Sequence, residues 1–147
     1  MIHLIGLIAA IPDKPAAGLS TQNLNGSEFY RDSPYRWNDS RDGAVLSVFG
    51  DSNVEPYVSV SPEFTLVCNA DLLGSNEGQD FHEANTAPAA YLARRYRQYG
   101  DSFARDLRGS FNILLFDHQQ QAIKAWSDHF GIRRLYYRQG AKGFAVA

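Results

Sequence analysis

Few residues of this chain carry chemistry by type alone. The single cysteine, Cys68, is the one thiol available as a nucleophile. It sits inside the apolar run Phe-Thr-Leu-Val-Cys-Asn at residues 64–69 with no α-amine beside it, so its setting predicts a small buried hydrophobe. His3 falls on an apolar strand, and His82, His118 and His129 are scattered through polar turns. No pair of them has the spacing of a zinc site, so no resident metal is expected. Arg94, Arg95 and Arg97 interleave with Tyr91, Tyr96 and Tyr99, a mixture that can bind nucleic acid. Helical spacing instead assigns the tyrosines to a core and the arginines to a solvated face or a partner surface. Asp128, shortly before Gly131, is expected to accept backbone N–H groups in a turn.

The elements that must position these residues follow from the hydrophobic pattern. Residues 107–137 hold its densest part. Gly109 opens the run Ser-Phe-Asn-Ile-Leu-Leu-Phe at 110–116, which is apolar on both faces and reads as a strand buried on both sides. Asp117-His118-Gln119-Gln120 is a turn, and residues 121–127 alternate, with Ala122, Lys124 and Trp126 on one face and Ile123 and Ala125 on the other. Asp128-His129-Phe130-Gly131 is a tight connection in which Gly131 takes a positive φ. Residues 132–138 resume an extended pattern, and a Gly-rich turn at 140–143 leads into a last strand at 144–147. The reading is a meander of four short strands, each face needing a covering layer.

Earlier in the chain, residues 2–10 form a first buried strand ended by Pro12 and Pro15. Residues 16–43 are rich in Gly, Ser, Asn, Asp and Arg and read as loop, with a helical turn near 21–29. Strands follow at 44–49 and 64–69, with an edge piece at 57–60; residues 74–85 are polar and loop-like. A helix starts near Ala87 with Pro88 in its first turn and stops at Gly100. Asp101 is placed to cap a short helix running to Leu107.

Composition sets the outer limits. A chain of 147 residues is one domain by size, with 44% hydrophobic and 20% charged residues, ordinary for a globular protein. A net charge of −2 gives no electrostatic case for nucleic acid or an anionic membrane. One cysteine excludes an intrachain disulfide. The N-terminal apolar run is about half of the ~20 residues a membrane span needs, and no Lys or Arg precedes it as in a signal peptide. The expected location is cytoplasmic.

The 107–147 segment resembles the glutamine amidotransferase domain of the asparagine synthetase family. There the run reads approximately LRGMFAFALWD, then ARDRFGIKPLYY, then a strand like GLAFAS. Here it reads LRGSFNILLFD, AWSDHFGIRRLYY and GFAVA. The resemblance extends weakly to the N-terminus. It implies an α+β fold over residues 1–147: two antiparallel sheets packed face to face and covered by helices, the αββα sandwich of N-terminal nucleophile hydrolases, incomplete at its C-terminus.

The same resemblance implies what the site has lost. Aligned on the family's opening Met-Cys-Gly-Ile-Val-Gly-Ile, this chain gives Met1-Ile2-His3-Leu4-Ile5-Gly6-Leu7, so Ile2 stands at the nucleophile position. Glutamine hydrolysis in that family needs a cysteine thiolate and its own free α-amine. Isoleucine supplies no nucleophile, and as a large second residue it is expected to leave Met1 in place. The family's Arg-Leu-Ser-Ile motif, whose arginine holds the substrate carboxylate, is matched by Val45-Leu46-Ser47-Val48. Its Asn-Gly-Glu motif is matched by Asn69-Ala70-Asp71: Asn69 and the Ala70 N–H are the remaining oxyanion donors, and Asp71 is one methylene short of the glutamate that meets the substrate amine. Near Ala87-Pro88 the family's Ser-Asp is absent. Val45, Asn69, Ala70 and Asp71 thus mark a remnant pocket without a catalytic residue.

The expected function is a pseudoenzyme domain. It binds no cofactor itself and supports a C-terminal asparagine-synthetase-like domain that uses ATP and Mg to form an amide, as in β-lactam synthetases and lasso-peptide cyclases. An open terminal strand would favour a homodimer. The alternatives are a glutamine-hydrolysing asparagine synthetase domain and a standalone binding or assembly module.

Overall fold

The computed structural model describes residues 5–12, 35–41, 44–50, 53–75, 81–140 and 143–146. Its centre is a pair of long antiparallel strands, β5 (Phe64–Ser75) and β6 (Leu107–Asp117). The sequence makes them by alternation on two apolar faces at once. Phe64, Leu66, Cys68, Ala70 and Leu72 of β5, with Phe111, Ile113 and Leu115 of β6, enter one core. Val67, Leu114 and Phe116 enter another. A strand buried on both sides tolerates few polar residues, which makes the few it keeps informative.

The first core is closed by α1 (Phe81–Thr86) and α2 (Pro88–Tyr99). Pro88 occupies the first turn of α2, where its missing N–H costs nothing, and the helix ends at Gly100, whose N–H bonds the Tyr96 carbonyl. Ala84, Ala89, Tyr91, Leu92 and Ala93 face the sheet. Tyr96, Phe103 and Trp126 of β7 (Ala122–Ser127) stack edge-to-face, the Phe103 and Trp126 centroids 4.9 Å apart. Lys124, one alternation from Trp126, donates to Tyr96 Oη at 3.0 Å and Asp101 Oδ1 at 2.9 Å. The Tyr96 and Asp101 bonds outweigh partial burial and hold the ammonium more firmly protonated than usual.

β4 (Val58–Val60) lies on the outer side of β5, giving the order β4-β5-β6-β7, all antiparallel. The remaining strands are β1 (Ile5–Pro12), β2 (Tyr35–Arg41), β3 (Ala44–Gly50), β8 (Tyr137–Gly140) and β9 (Gly143–Val146). They pair antiparallel in the order β2-β3-β1-β9-β8. Leu46 and Val48 of β3 and Val146 of β9 share the second core with Val67, Leu114 and Phe116. The class is α+β. Among the described residues, no helix is long and apolar enough to cross a membrane.

Several expectations change. Residues 35–41 are a strand rather than loop, paired along its whole length with β3, whose ladder supplies the order that a polar sequence does not signal. β5 runs on to Ser75, and a short helix begins at Phe81 inside the stretch read as loop. The four C-terminal strands are not one meander: β6 and β7 pair in one order, β8 and β9 in the other. Residues 132–136 are irregular, and at their start the backbone N–H groups of Ile132 and Arg133 turn in toward Asp128. Asp101 caps no helix; a single 3-10 turn, Gly100–Ser102, stands there. Arg95 is buried, 6% exposed, its guanidinium 5.0 Å from the Tyr99 ring centroid, while Tyr99 is exposed. The helical turn expected near 21–29 lies outside the described residues.

The β5–β6 ladder shifts register between Leu72 and Gly74, opposite Gly109. Gly109 adopts φ +128, and a Cβ there would lie 2.2 Å from the Asp71 carbonyl oxygen. Both the backbone angle and the closeness demand glycine. Gly109→Ala is expected to lower stability by about 2–3 kcal/mol. The check is a reduced urea midpoint at unchanged slope, and an unaltered midpoint contradicts this packing.

Candidate functional site

A polar cluster interrupts the second face of the β5–β6 pair toward the end where the register shifts. Asn69 and Asp71 come from β5, Ser110 and Asn112 from β6; the ladder sets Asn69 opposite Asn112 and Asp71 opposite Ser110. Directly opposed side chains in an antiparallel ladder have Cβ atoms about 5 Å apart, so all four share one patch. The alternation that buries Cys68 and Ala70 against the helices is what turns Asn69 and Asp71 the other way.

Over this patch lies the connection from β7 to β8. Its anchor is Asp128, buried at 4% exposure. Oδ1 accepts the N–H of Phe130 at 3.0 Å and of Ile132 at 3.1 Å; Oδ2 receives longer contacts from the N–H of Phe111 at 3.4 Å and Arg133 at 3.5 Å. The Asp128 N–H in turn donates to the Phe111 carbonyl at 3.0 Å, extending the β6–β7 pairing by one residue. Burial alone would push the carboxyl up, but the N–H donors of Ile132, Arg133, Phe130 and Phe111 prevail and hold it below the ordinary aspartate value. Gly131, at φ +61, lets the chain reverse around the carboxylate. The expected turn-accepting role of Asp128 is what the structure shows.

The reversal delivers Arg133. Its guanidinium donates from Nη1 to Asn69 Oδ1 at 2.6 Å, from Nε to Ser110 Oγ at 3.1 Å, and from Nη2 to the Asp71 carboxylate. The Arg133 side chain is 19% exposed, the Asp71 side chain 78%. Beside it, Asn112 Nδ2 donates to the Arg134 carbonyl at 3.2 Å, while the buried Oδ1 of Asn112 has no donor among the described residues. The arginine's planar fork thus gathers acceptors from both strands, which a lysine's single ammonium could not do in the same geometry.

The expected site residues fall as follows. Asn69 and Asp71 are brought together, both engaged by Arg133. Ala70 is buried with its methyl on the helix side. Because Phe111, its ladder partner, turns its N–H and carbonyl toward Asp128, Ala70 directs its own N–H away from β6, past the end of β4. Val45 holds a register position in β3 between Ala10 and Ser40. Ile2 and His3 lie outside the described residues. Cys68 is fully buried; burial pushes its thiol far above the ordinary cysteine value, against the opposing pull of Arg133. His118 meets Thr65 Oγ1 at 3.1 Å and His129 is exposed. No group of metal-ligating side chains gathers among the described residues.

Arg133, Ser110 and Asn112 are the site residues that motif reading passes over. The available signal was the placement of Ser110 and Asn112 at alternate positions of an otherwise apolar strand, which puts both on one face.

Residues 50–147 match the family model described as glutamine amidotransferase domain. The chain belongs to this family. Among curated proteins, 58 residues are 36% identical to a protein named amidase chyE of Penicillium rubens, covering 40% of this chain and 9% of that protein. A 42-residue stretch is 45% identical to amidase chry2 of Gibberella zeae, covering 29% of this chain and 6% of that protein. The aligned stretches therefore span under a tenth of either relative's length.

A depressed Asp128 pKa means its stabilising effect is complete above the unfolded aspartate value near ~4 and is lost as pH falls through the lower folded value. Asp128→Asn is expected to cost about 1–3 kcal/mol near neutral pH, where it replaces a charged acceptor. The stability gap between the natural chain and the Asp128→Asn variant should narrow below about pH 4. Urea titrations at neutral and acid pH check this, and a gap of constant size contradicts it.

Proposed function

We propose that this glutamine amidotransferase domain no longer hydrolyses glutamine. The observation that carries the reading is the position of the chain's one thiol. Cys68 is buried against the helices, on the face of β5 opposite to Asn69 and Asp71, with its pKa raised by burial. A thiol in that place has neither the ionisation nor the direction to attack an amide bound at the Asn69 patch. The resemblance puts Ile2 where a nucleophile belongs and Val45 where the carboxylate-holding arginine belongs. Loss of a nucleophile alone costs roughly six orders of magnitude in enzymes where it has been measured.

In this reading the layers form the αββα sandwich of N-terminal nucleophile hydrolases, an inference supported by the shared core of β3, β9, β5 and β6 residues. The domain's role is then structural. It supports a C-terminal synthetase domain that uses ATP and Mg to join an acid to an amine other than glutamine-derived ammonia. The exposed apolar side chains Phe130, Ile132, Tyr136 and Tyr137 are consistent with a surface that a further domain covers. The names of the two amidase relatives fit amide chemistry in the wider protein family, and favour amide handling over a module with no catalytic parent.

The test is ammonia release from L-glutamine by the natural protein and by Ile2→Cys. Neither is expected to exceed the uncatalysed background, since Ile2→Cys restores the thiol without freeing Asn69 and Asp71. Release by the natural protein would overturn the reading.

A further inference from the structure

A strand at the end of a sheet presents a row of unpaired N–H and C=O groups, which another chain can pair with unless something blocks it. The C-terminal strand β9 is flanked by β1 and β8, and among the described residues the open edges are those of β2, β8, β4 and β7. β2 carries Arg36, Asp39 and Arg41, β8 carries Arg138, and β4 has only three residues. β7, Ala-Ile-Lys-Ala-Trp-Ser, has one charge, and that charge does not guard its edge. The Lys124 ammonium is drawn onto the helix layer by Tyr96 Oη at 3.0 Å and Asp101 Oδ1 at 2.9 Å. The β6–β7 ladder fixes which backbone groups remain open. The Asp128 N–H donates to the Phe111 carbonyl, so the positions bonded to β6 alternate from there, Trp126 to Ile113 and Lys124 to Leu115. The N–H and C=O groups of Ile123, Ala125 and Ser127 therefore point outward, and the side chains of Ala125 and Ser127 are exposed.

We propose that the outer edge of β7 binds the same edge of a second copy of this chain, the two strands running antiparallel about a two-fold axis through Ala125. That register matches Ala125 with Ala125, Ile123 with Ser127 and Ser127 with Ile123 of the second copy, each pair exchanging two hydrogen bonds. It is the one register that uses all three outward residues. Centring on Ile123 brings Gln121, at φ +52, opposite Ala125, and centring on Ser127 brings His129, beyond the end of the strand. Centring on Lys124 or Trp126 presents groups already bonded to β6. The axis stands perpendicular to the sheet, so the helix layers of both copies lie on the same side. There Lys124 faces Trp126 of the second copy, and no two like charges meet. The contact is one short ladder, below the roughly 1,200 Å² of a standard interface, so association is weak and depends on concentration.

The experiment is analytical sedimentation of the full chain over a range of concentrations, read beside disulfide trapping. The natural chain is expected to rise above its monomer mass of 16.4 kDa between about 10 μM and 1 mM. Ala125→Lys sets two ammonium groups against each other at the axis and should weaken association at least about tenfold. Ala125→Cys places two thiols across the axis with Cα atoms about 5.5 Å apart, within disulfide reach. Ser127→Cys is equally outward, yet its two copies stand about 13 Å apart in this register, beyond that reach. Cys68 is buried and stays out of the reaction. Diamide should therefore convert Ala125→Cys to a covalent dimer at least about tenfold faster than Ser127→Cys. Circular dichroism confirms the fold of each variant, and the cysteine pair decides the matter should the lysine variant not fold. A natural chain that stays monomeric at about 1 mM, unchanged association in a folded Ala125→Lys variant, or equal trapping at the two cysteine positions overturns the inference.

Discussion

The buried carboxylate of Asp128 is the interaction on which the site depends. It collects N–H groups from a strand on one side and a reversing loop on the other, and so fixes where the chain goes after β7. The cost of burying the charge is offset by these donors, each a charge-assisted bond in a setting where water cannot compete well. Everything downstream follows in short steps. Gly131 permits the reversal, Arg133 emerges over the sheet, and its guanidinium reaches acceptors that lie 62 and 64 residues away in sequence. A local turn thereby locks together strands β5 and β6, already neighbours through their ladder, and closes a polar patch.

Strand alternation then separates two kinds of chemistry by one residue. Cys68 and Asn69 are adjacent in sequence but face opposite layers, one toward an apolar core of leucines, alanines and aromatics, the other toward Arg133. In the apolar layer the thiol stays protonated, because the cost of desolvating a thiolate outweighs the pull of the Arg133 cation. On the polar side there are hydrogen-bonding groups in abundance and no thiol among those described. The chain keeps membership of the amidotransferase family, its one thiol lying on the face of β5 opposite to Asn69 and Asp71, which Arg133 engages.

Much of this was legible in the sequence where a residue's role is set by near neighbours. The 110–116 run announced a strand buried twice over, the alternation of Lys124 and Trp126 against Ile123 placed β7 correctly, and Asp128 before Gly131 announced the turn. Tyr35–Arg41 was illegible because polar residues such as Asn38, Asp39 and Ser40 signal loop, and pairing with β3 comes from a strand whose influence is tertiary. Arg95 was misread because helical spacing gives the side a residue faces only approximately, and a long side chain can lie along a ring instead of entering solvent. Arg133 could not be found by motif, since its partners are distant in sequence and only the folded ladder brings Asn69, Asp71 and Ser110 within reach of one fork.

The central claim, that this domain presents no thiol to an amide, is tested most directly by treating the folded protein with an electrophilic glutamine analogue, a diazoketone, and weighing it intact. The account predicts an unchanged mass, with Cys68 becoming reactive only after denaturation. A single covalent adduct on the folded chain, at Cys68 or at the N-terminus, would contradict it.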